Sequence, residues 1–294
     1  KTAGHPENFL SDVVETTTGP LGQGIANSVG FAIAEESLRA RFGRNIIDHH
    51  TFVIAGDGCL MEGVSQEAIS LAGHLRLHKL IVFWDNNNIT IDGTVDLTDS
   101  TDQKTRFEAS GWEVIEIDGH DPEEIDSAIS AAKKSEKPTM IACKTHIAIG
   151  TAAQDTSKGH GALTDPELIK NAREVYQWSH KPFDIPKSIK EQWEQAGLEG
   201  HKAFKRWQSN LANLSNSKRK EFERIFSGDA PKKLTSAIRK FKKESSAALP
   251  TIATRKSSEM TLNAVNSIMQ ETIGGSADLT GSNNTKSNDM KIFD

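Results

Sequence analysis

The stretch from His50 to Gly93, HTFVIAGDGCLMEGVSQEAISLAGHLRLHKLIVFWDNNNITIDG, constrains the fold more than any other part of this chain. Thr51 to Ala55 is a short unbroken apolar run rich in β-formers, and such a run reads as a strand buried on both faces. Gly56 and Gly58 flank Asp57, so the backbone can turn tightly, approach a ligand closely and display one carboxylate at the strand's carboxyl end. Ala68, Leu71, Ala72 and Leu75 follow at helical spacing, and Lys79 to Trp84 is a second apolar strand. The unit is βαβ.

In a parallel sheet, ligands bind in the crevice beyond the strand ends. Asp57 closes the first strand and Asn87 lies just past the second, 30 residues later, so their side-chain oxygens can converge. With the backbone carbonyl of Ile89 they make three hard oxygen ligands, a set suited to Mg²⁺ or Ca²⁺ completed by water and phosphate oxygens. By itself GDG is also an ordinary turn. The order strand, GDG, helix, strand, Asn-rich loop favours a site for a metal ion and a diphosphate.

GDG followed some 30 residues later by an Asn pair resembles the diphosphate-binding signature of thiamine diphosphate enzymes. GDGCLMEG together with ITIDG resembles the transketolase family specifically. The resemblance continues in register through VETTTGPLGQG (Val14 to Gly24), IDGHD (Ile117 to Asp121), KGHGA (Lys158 to Ala162) and TRKSS (Thr254 to Ser258).

Composition sets outer bounds. The 294 residues, 36% hydrophobic and 26% charged, suit one large α/β domain plus part of another. A net charge of −5 argues against a nucleic-acid partner, which needs a basic face. No apolar run approaches the roughly 18 residues of a membrane span, and the first residues present do not read as a signal peptide, although an incomplete start would hide one. Cys59 and Cys143 read as isolated reduced thiols, which favours the cytoplasm. The chain starts at Lys1 and stops at Asp294 in a polar stretch, so both ends read as cut.

The remaining elements follow in order. TTTGPLGQG leads into the helical pattern Ile25, Val29, Ala32, Ile33, and a glycine-rich loop feeding a helix start suits a phosphate, although a plain turn would look the same. Trp112 to Ile117 and Thr139 to Lys144 are further strands, separated by a helix from Pro122 to about Lys134 that Asp121 caps. IDGHD between them reads as a structural turn. A long Gly, Ala, Ser and Thr loop runs from Thr145 to Thr164, and Asp165 with Pro166 starts another helix. Residues 187 to 248 read as helices that pack Trp193, Phe204, Trp207, Phe222 and Phe226 on one face and solvate the other. A helix then runs from Thr254 through Ile268, and Glu271 to Asn283 reads as a strand entering a loop.

The fold class is therefore α/β, a doubly wound parallel sheet. The resemblance implies the thiamine diphosphate-binding fold: residues 1–180 as a diphosphate-binding domain lacking its first part, 181–248 as a helical linker, and 249–294 as the start of a pyrimidine-binding domain. It implies thiamine diphosphate and Mg²⁺ or Ca²⁺ as cofactors, and transfer of a two-carbon glycolaldehyde unit from a ketose phosphate to an aldose phosphate by a homodimer in the pentose phosphate pathway. Gly19, Pro20, Leu21 and Gly58 would contact the cofactor, with Asp57, Asn87 and Ile89 on the metal and Asp278 beside the cofactor's ring. His5 and His160 would act at the reacting hydroxyls, His160 and Asn87 would also bind the cofactor, and Arg255 with Ser282 would hold the sugar phosphate. On their own residue type and setting, His5, His160 and Arg255 are ordinary exposed residues. Gly159 departs from the family, which commonly has Ser before this His. The family's earlier histidines and the glutamate that activates the aminopyrimidine have no counterpart, so this chain alone is expected to lack turnover. Other readings are a dihydroxyacetone synthase, a deoxyxylulose-phosphate synthase, or a cofactor-binding subunit whose partner chain supplies the glutamate.

Overall fold

The computed structural model describes residues 4–293. Contacts divide the chain into two units, residues 1–204 and 205–294, and the division falls inside one long helix, Lys187–Ala212.

The first unit is built on four parallel strands: β1 (Thr51–Gly56), β2 (Leu80–Asn86), β3 (Glu113–Asp118) and β4 (Thr139–Lys144), in the order β1-β2-β4-β3. The chain steps from β2 past one position to β3 and returns to insert β4, so every strand ends at the same edge of the sheet. Gly56 pairs with Asp85, Asn86 with Lys144 and Asp118 with Lys144, which brings the loops after all four strands to that edge. Ile81, Val82, Met140 and Ile141 in the two inner strands are fully buried.

Helices α1 (Gln23–Phe42), α2 (Asp57–Met61), α3 (Gly63–His74), α4 (Gln103–Ala109), α5 (Pro122–Ala132) and α6 (Pro166–Val175) complete this unit up to α7 (Lys187–Ala212). Asp121 caps α5 as its sequence implies, its carboxylate accepting from Glu123 N–H at 2.8 Å and Glu124 N–H at 3.3 Å, with Pro122 at the first helical position. Asp165 caps α6 in the same way. Lys79, at the foot of β2, holds Glu35 of α1 at 2.7 Å and also pairs with Asp48, so a buried amine ties the first helix to the sheet.

Four sequence expectations require correction. β1 is not buried on both faces: Phe52 is 50% and Ile54 82% exposed. The face that carries Ile81, Ile115, Ile117, Ile141 and Cys143 is covered by α5 through Ala128 and Ala132. Phe52 and Ile54 lie on that same face, paired in register with Ile81 and Phe83, but α5 packs on β3 and stops short of the edge strand. GDG is not a tight turn. Asp57 is the first residue of α2, Gly56 is extended at φ −87°, and the strand passes straight into a helix. Trp193 is 77% exposed rather than packed on a linker face.

The fourth correction concerns the second unit. Glu271 to Ser276 does not form a strand, and Thr280–Asn283 is a short helix, α11. A strand is stabilised by pairing with another, and among the described residues of this unit there is no second strand. The unit comprises the end of α7, α8 (Asn216–Phe226), α9 (Leu234–Ala248), α10 (Thr254–Asn266) and α11. Phe222 is its buried aromatic, stacked on Phe226 at 4.2 Å and tilted against Trp207 at 6.2 Å. Asn266 ties the last turn of α10 to the following chain, donating to Ser287 Oγ at 3.0 Å and accepting from the Thr272 hydroxyl at 3.0 Å.

Candidate functional site

Because Asp57 opens α2 where β1 ends, its carboxylate is fixed at the rim of the sheet and is only 8% exposed. Oδ1 accepts the indole N–H of Trp84 at 2.9 Å. Oδ2 is buried without a hydrogen-bond partner among the described residues. Burial raises the Asp57 carboxyl above the ordinary carboxylate range, opposed by the Trp84 bond and the backbone N–H of Asn88, while the charges of Asp85 and Asp99 add to the rise. A buried acceptor left open is costly unless something occupies it. A cation fits that demand.

The contact with Asn88 also shows that the loop after β2 abuts Asp57. Asn88 takes a left-handed φ of 61°, and the loop closes on itself through Thr90 N–H to Gly93 O at 2.7 Å. Asn87 Oδ1 accepts from Ile89 N–H at 3.0 Å, and its amide donates to Asp85 Oδ2 at 3.2 Å. Asp85 also accepts from the Thr145 hydroxyl, so this carboxylate braces the ends of β2 and β4 together. Nothing in the sequence singles it out from its Asn neighbours.

The TTTGPLGQG loop packs on the same junction. Gly22 caps α1 at φ 81°, and a Cβ there would lie 2.7 Å from Glu62 Cβ and 2.9 Å from Val64 Cγ1. A Cβ on Gly58 would lie 3.1 Å from Leu21 Cδ1, so the two glycine-containing motifs meet. His5 joins them, its ring so close to Gly19 that a Cβ there would sit 2.7 Å from Cδ2. A cleft of about 370 Å³ runs beside β1, lined by Thr18, Gly19, Pro20, Ile54 and Cys59 among others. Cys59 and Cys143 are both free thiols, and burial, with Asp85 adding, pushes Cys143 up to about 11.

His160 follows a single 3₁₀ turn, Ser157–Gly159, and stands exposed on the loop leaving β4. That loop is pinned by residues read only as a turn or not at all. His146 N–H donates to His120 Nε2 at 2.9 Å, the two rings stack at 5.8 Å, and His146 Nδ1 meets Asp155 at 2.9 Å. The spacing of these three residues carries no motif that would have found them. In the second unit Arg255 is the second residue of α10, Ser282 lies in α11, and Asp278 adopts a left-handed φ of 57°. All three are exposed, and among the described residues no hydrogen bond joins Arg255 to Ser282.

A family model described as "Transketolase, thiamine diphosphate binding domain" matches residues 1–231. The chain belongs to the transketolase family. It is 56% identical to the transketolase of Rhodobacter capsulatus over 294 residues, all of this chain and 44% of that protein. It is 49% identical to that of Cereibacter sphaeroides over 291 residues, again 44% of the relative. The chain thus spans less than half the length of these relatives. Among solved structures, transketolase from Leishmania mexicana superposes with a TM-score of 0.86 at 40% identity, covering 96% of this chain and 42% of that one. Transketolase from Campylobacter jejuni gives 0.82 at 39%, covering 95% and 43%.

The local packing accounts for the residue before His160. A Cβ on Gly159 would lie 2.8 Å from Ala148 Cβ and 2.9 Å from Ala153 O, both too close for any side chain. In this member of the transketolase family the loop folds back on itself at Gly159, where a serine would not fit.

Proposed function

We propose that this chain provides the diphosphate-anchoring part of a transketolase, transferring a two-carbon unit from a ketose phosphate to an aldose phosphate within a homodimer of the pentose phosphate pathway. The observation that carries the reading is the buried, half-satisfied Asp57 carboxylate at the sheet edge. When bound, thiamine diphosphate supplies the carbanion chemistry on which such transfer depends. Asp57 Oδ2, Asn87 Oδ1 and the Ile89 carbonyl would hold Mg²⁺ or Ca²⁺ against the diphosphate, with Asn87 exchanging its bond to Ile89 N–H for the cation. Gly19, Pro20, Leu21 and Gly58 would line the cofactor, and Asp278 would lie beside its ring. Transketolases from Pichia stipitis have been solved with fructose-6-phosphate, xylulose-5-phosphate and sedoheptulose-7-phosphate. We assign the same class of sugar phosphate to this protein, with Arg255 and Ser282 binding the phosphate and His5 and His160 exchanging protons with the reacting hydroxyls. The two free thiols support a reducing compartment, the cytoplasm. No helix among the described residues is long and apolar enough to cross a membrane.

Calorimetry on the native protein tests the anchoring role. Asp57→Ala is expected to abolish Mg²⁺-dependent binding of thiamine diphosphate, and unchanged affinity would overturn the assignment. His160→Ala is expected to lower turnover far more than it weakens cofactor binding; wild-type turnover would remove the residue from the mechanism. The polypeptide of residues 1–294 by itself is expected to show no turnover.

A further inference from the structure

The two oxygens of Asp57 are not equivalent, and one side chain makes them so. Trp84 lies directly across from Ala55 in the β1/β2 register, two residues before Asp57. Its indole is 8% exposed and its N–H reaches Asp57 Oδ1 at 2.9 Å. Oδ2 is thereby left as the open acceptor. A carboxylate turns readily about its last torsion, which is broad and roughly two-fold. A donor held by the sheet removes that freedom for one of the two oxygens. The indole gains as well, because a buried Trp N–H needs an acceptor.

Resting on the anchoring role proposed above, we infer that Trp84 is a positioning residue for the divalent cation: by holding Asp57 Oδ1 it presents Oδ2 as the ligand. In the sequence Trp84 is only the last apolar residue of a strand. In the structure it is the side chain that, beside the Asn88 backbone N–H, orders the Asp57 carboxylate without competing for the cation, since an indole donates and cannot ligate through its N–H. Partners of this kind, which touch a ligand and not the metal, change metal affinity by about ten- to hundred-fold when removed.

The test uses the native protein with Trp84→Phe, with β-(3-benzothienyl)alanine at position 84, and with Asp57→Ala. The benzothienyl side chain keeps the bicyclic shape and replaces the N–H by sulfur, so it removes the donor while preserving the packing. Binding of thiamine diphosphate is followed by calorimetry across a series of Mg²⁺ concentrations, and the thermal midpoint is measured in the metal-free protein. The expected result is a half-saturating Mg²⁺ concentration about ten- to hundred-fold higher for both Trp84 variants. The metal-free midpoint of the benzothienyl variant should fall below wild type, because Asp57 Oδ1 loses its donor, but by less than that of Trp84→Phe, which also loses packing. Should Trp84→Phe fail to fold, the benzothienyl variant decides alone. A wild-type Mg²⁺ requirement in that variant, alongside lost binding in Asp57→Ala, would overturn the positioning role and leave the anchoring role standing. Retained binding in Asp57→Ala would overturn both.

Discussion

At the scale of single residues, the site is held by strain of a chemical kind: a carboxyl group buried with one oxygen unpaired. Asp57 has its carboxyl raised by burial, so the sign of its pH effect can be worked out. A group whose folded value is raised stabilises the fold below its unfolded value, and that contribution is lost as the pH rises through the folded value. The metal-free protein should therefore lose stability from this residue as the pH rises above the ordinary carboxylate range. Asp57→Asn keeps the shape and removes the charge. It is expected to raise metal-free stability at pH 7 by about 1 kcal/mol, the difference between burying a charged and a neutral unpaired group, and to flatten the pH dependence. Thermal melts in EDTA between pH 4 and 8 measure both; a lower midpoint than wild type at pH 7 would show that Asp57 is satisfied without a metal. The place of Asp57 at the strand end was legible in the sequence because the order strand, GDG, helix, strand, Asn-rich loop marks it, whereas GDG alone does not. Trp84 and Asp85 were not, because hydrogen bonds across a sheet depend on register, which no local pattern reveals.

At the scale of elements, what matters is how the segment between β4 and α6 is held. Its length and composition marked it in the sequence as more than a connection, yet the devices that order it were hidden. His146 bridges His120 after β3 and Asp155 within the loop. Loss of hydration pushes the exposed Asp155 carboxyl up, while its bonds to His146 and Gln154 and the charges of His146 and His120 outweigh this and hold it below the usual carboxylate range. The second device is Gly159, where a methyl group would press on Ala148 and Ala153. Gly159→Ser is accordingly expected to cost about 1–3 kcal/mol of local stability, the range for forced overpacking. Hydrogen exchange of residues 145–164 should accelerate, and the additional change Ala148→Gly should restore part of the protection. Unchanged exchange in the single variant would mean that the loop accommodates serine. The capped helices α5 and α6 were legible because Asp-Pro carries its physics locally. The strand expected at Glu271 failed for the opposite reason: a strand exists only through its neighbour.

At the scale of the whole molecule, the distribution of apolar surface is the least legible property, since an apolar run is the same string whether or not anything covers it. The α/β class and the convergence of the four strand-end loops followed from alternation of strands and helices. The exposure of β1 did not. Parallel sheets are ordinarily covered on both faces, but Phe52 and Ile54 stand open on the side that α5 leaves bare, with Phe31 also exposed nearby on the cleft wall. An open apolar face beside an edge strand promotes association. The polypeptide of residues 1–294 is thus expected to bind an apolar fluorescent dye and to self-associate with rising concentration. Ile54→Lys should reduce both, because the substituted side chain is already in water and its replacement costs the fold no more than about 0.5 kcal/mol. Sedimentation velocity at several concentrations, with dye titrations in parallel, separates the cases. If wild type and Ile54→Lys sediment alike as monomers and bind no dye, the face is not adhesive. If Ile54→Lys instead unfolds the chain, the side chain is buried in solution and β1 is covered.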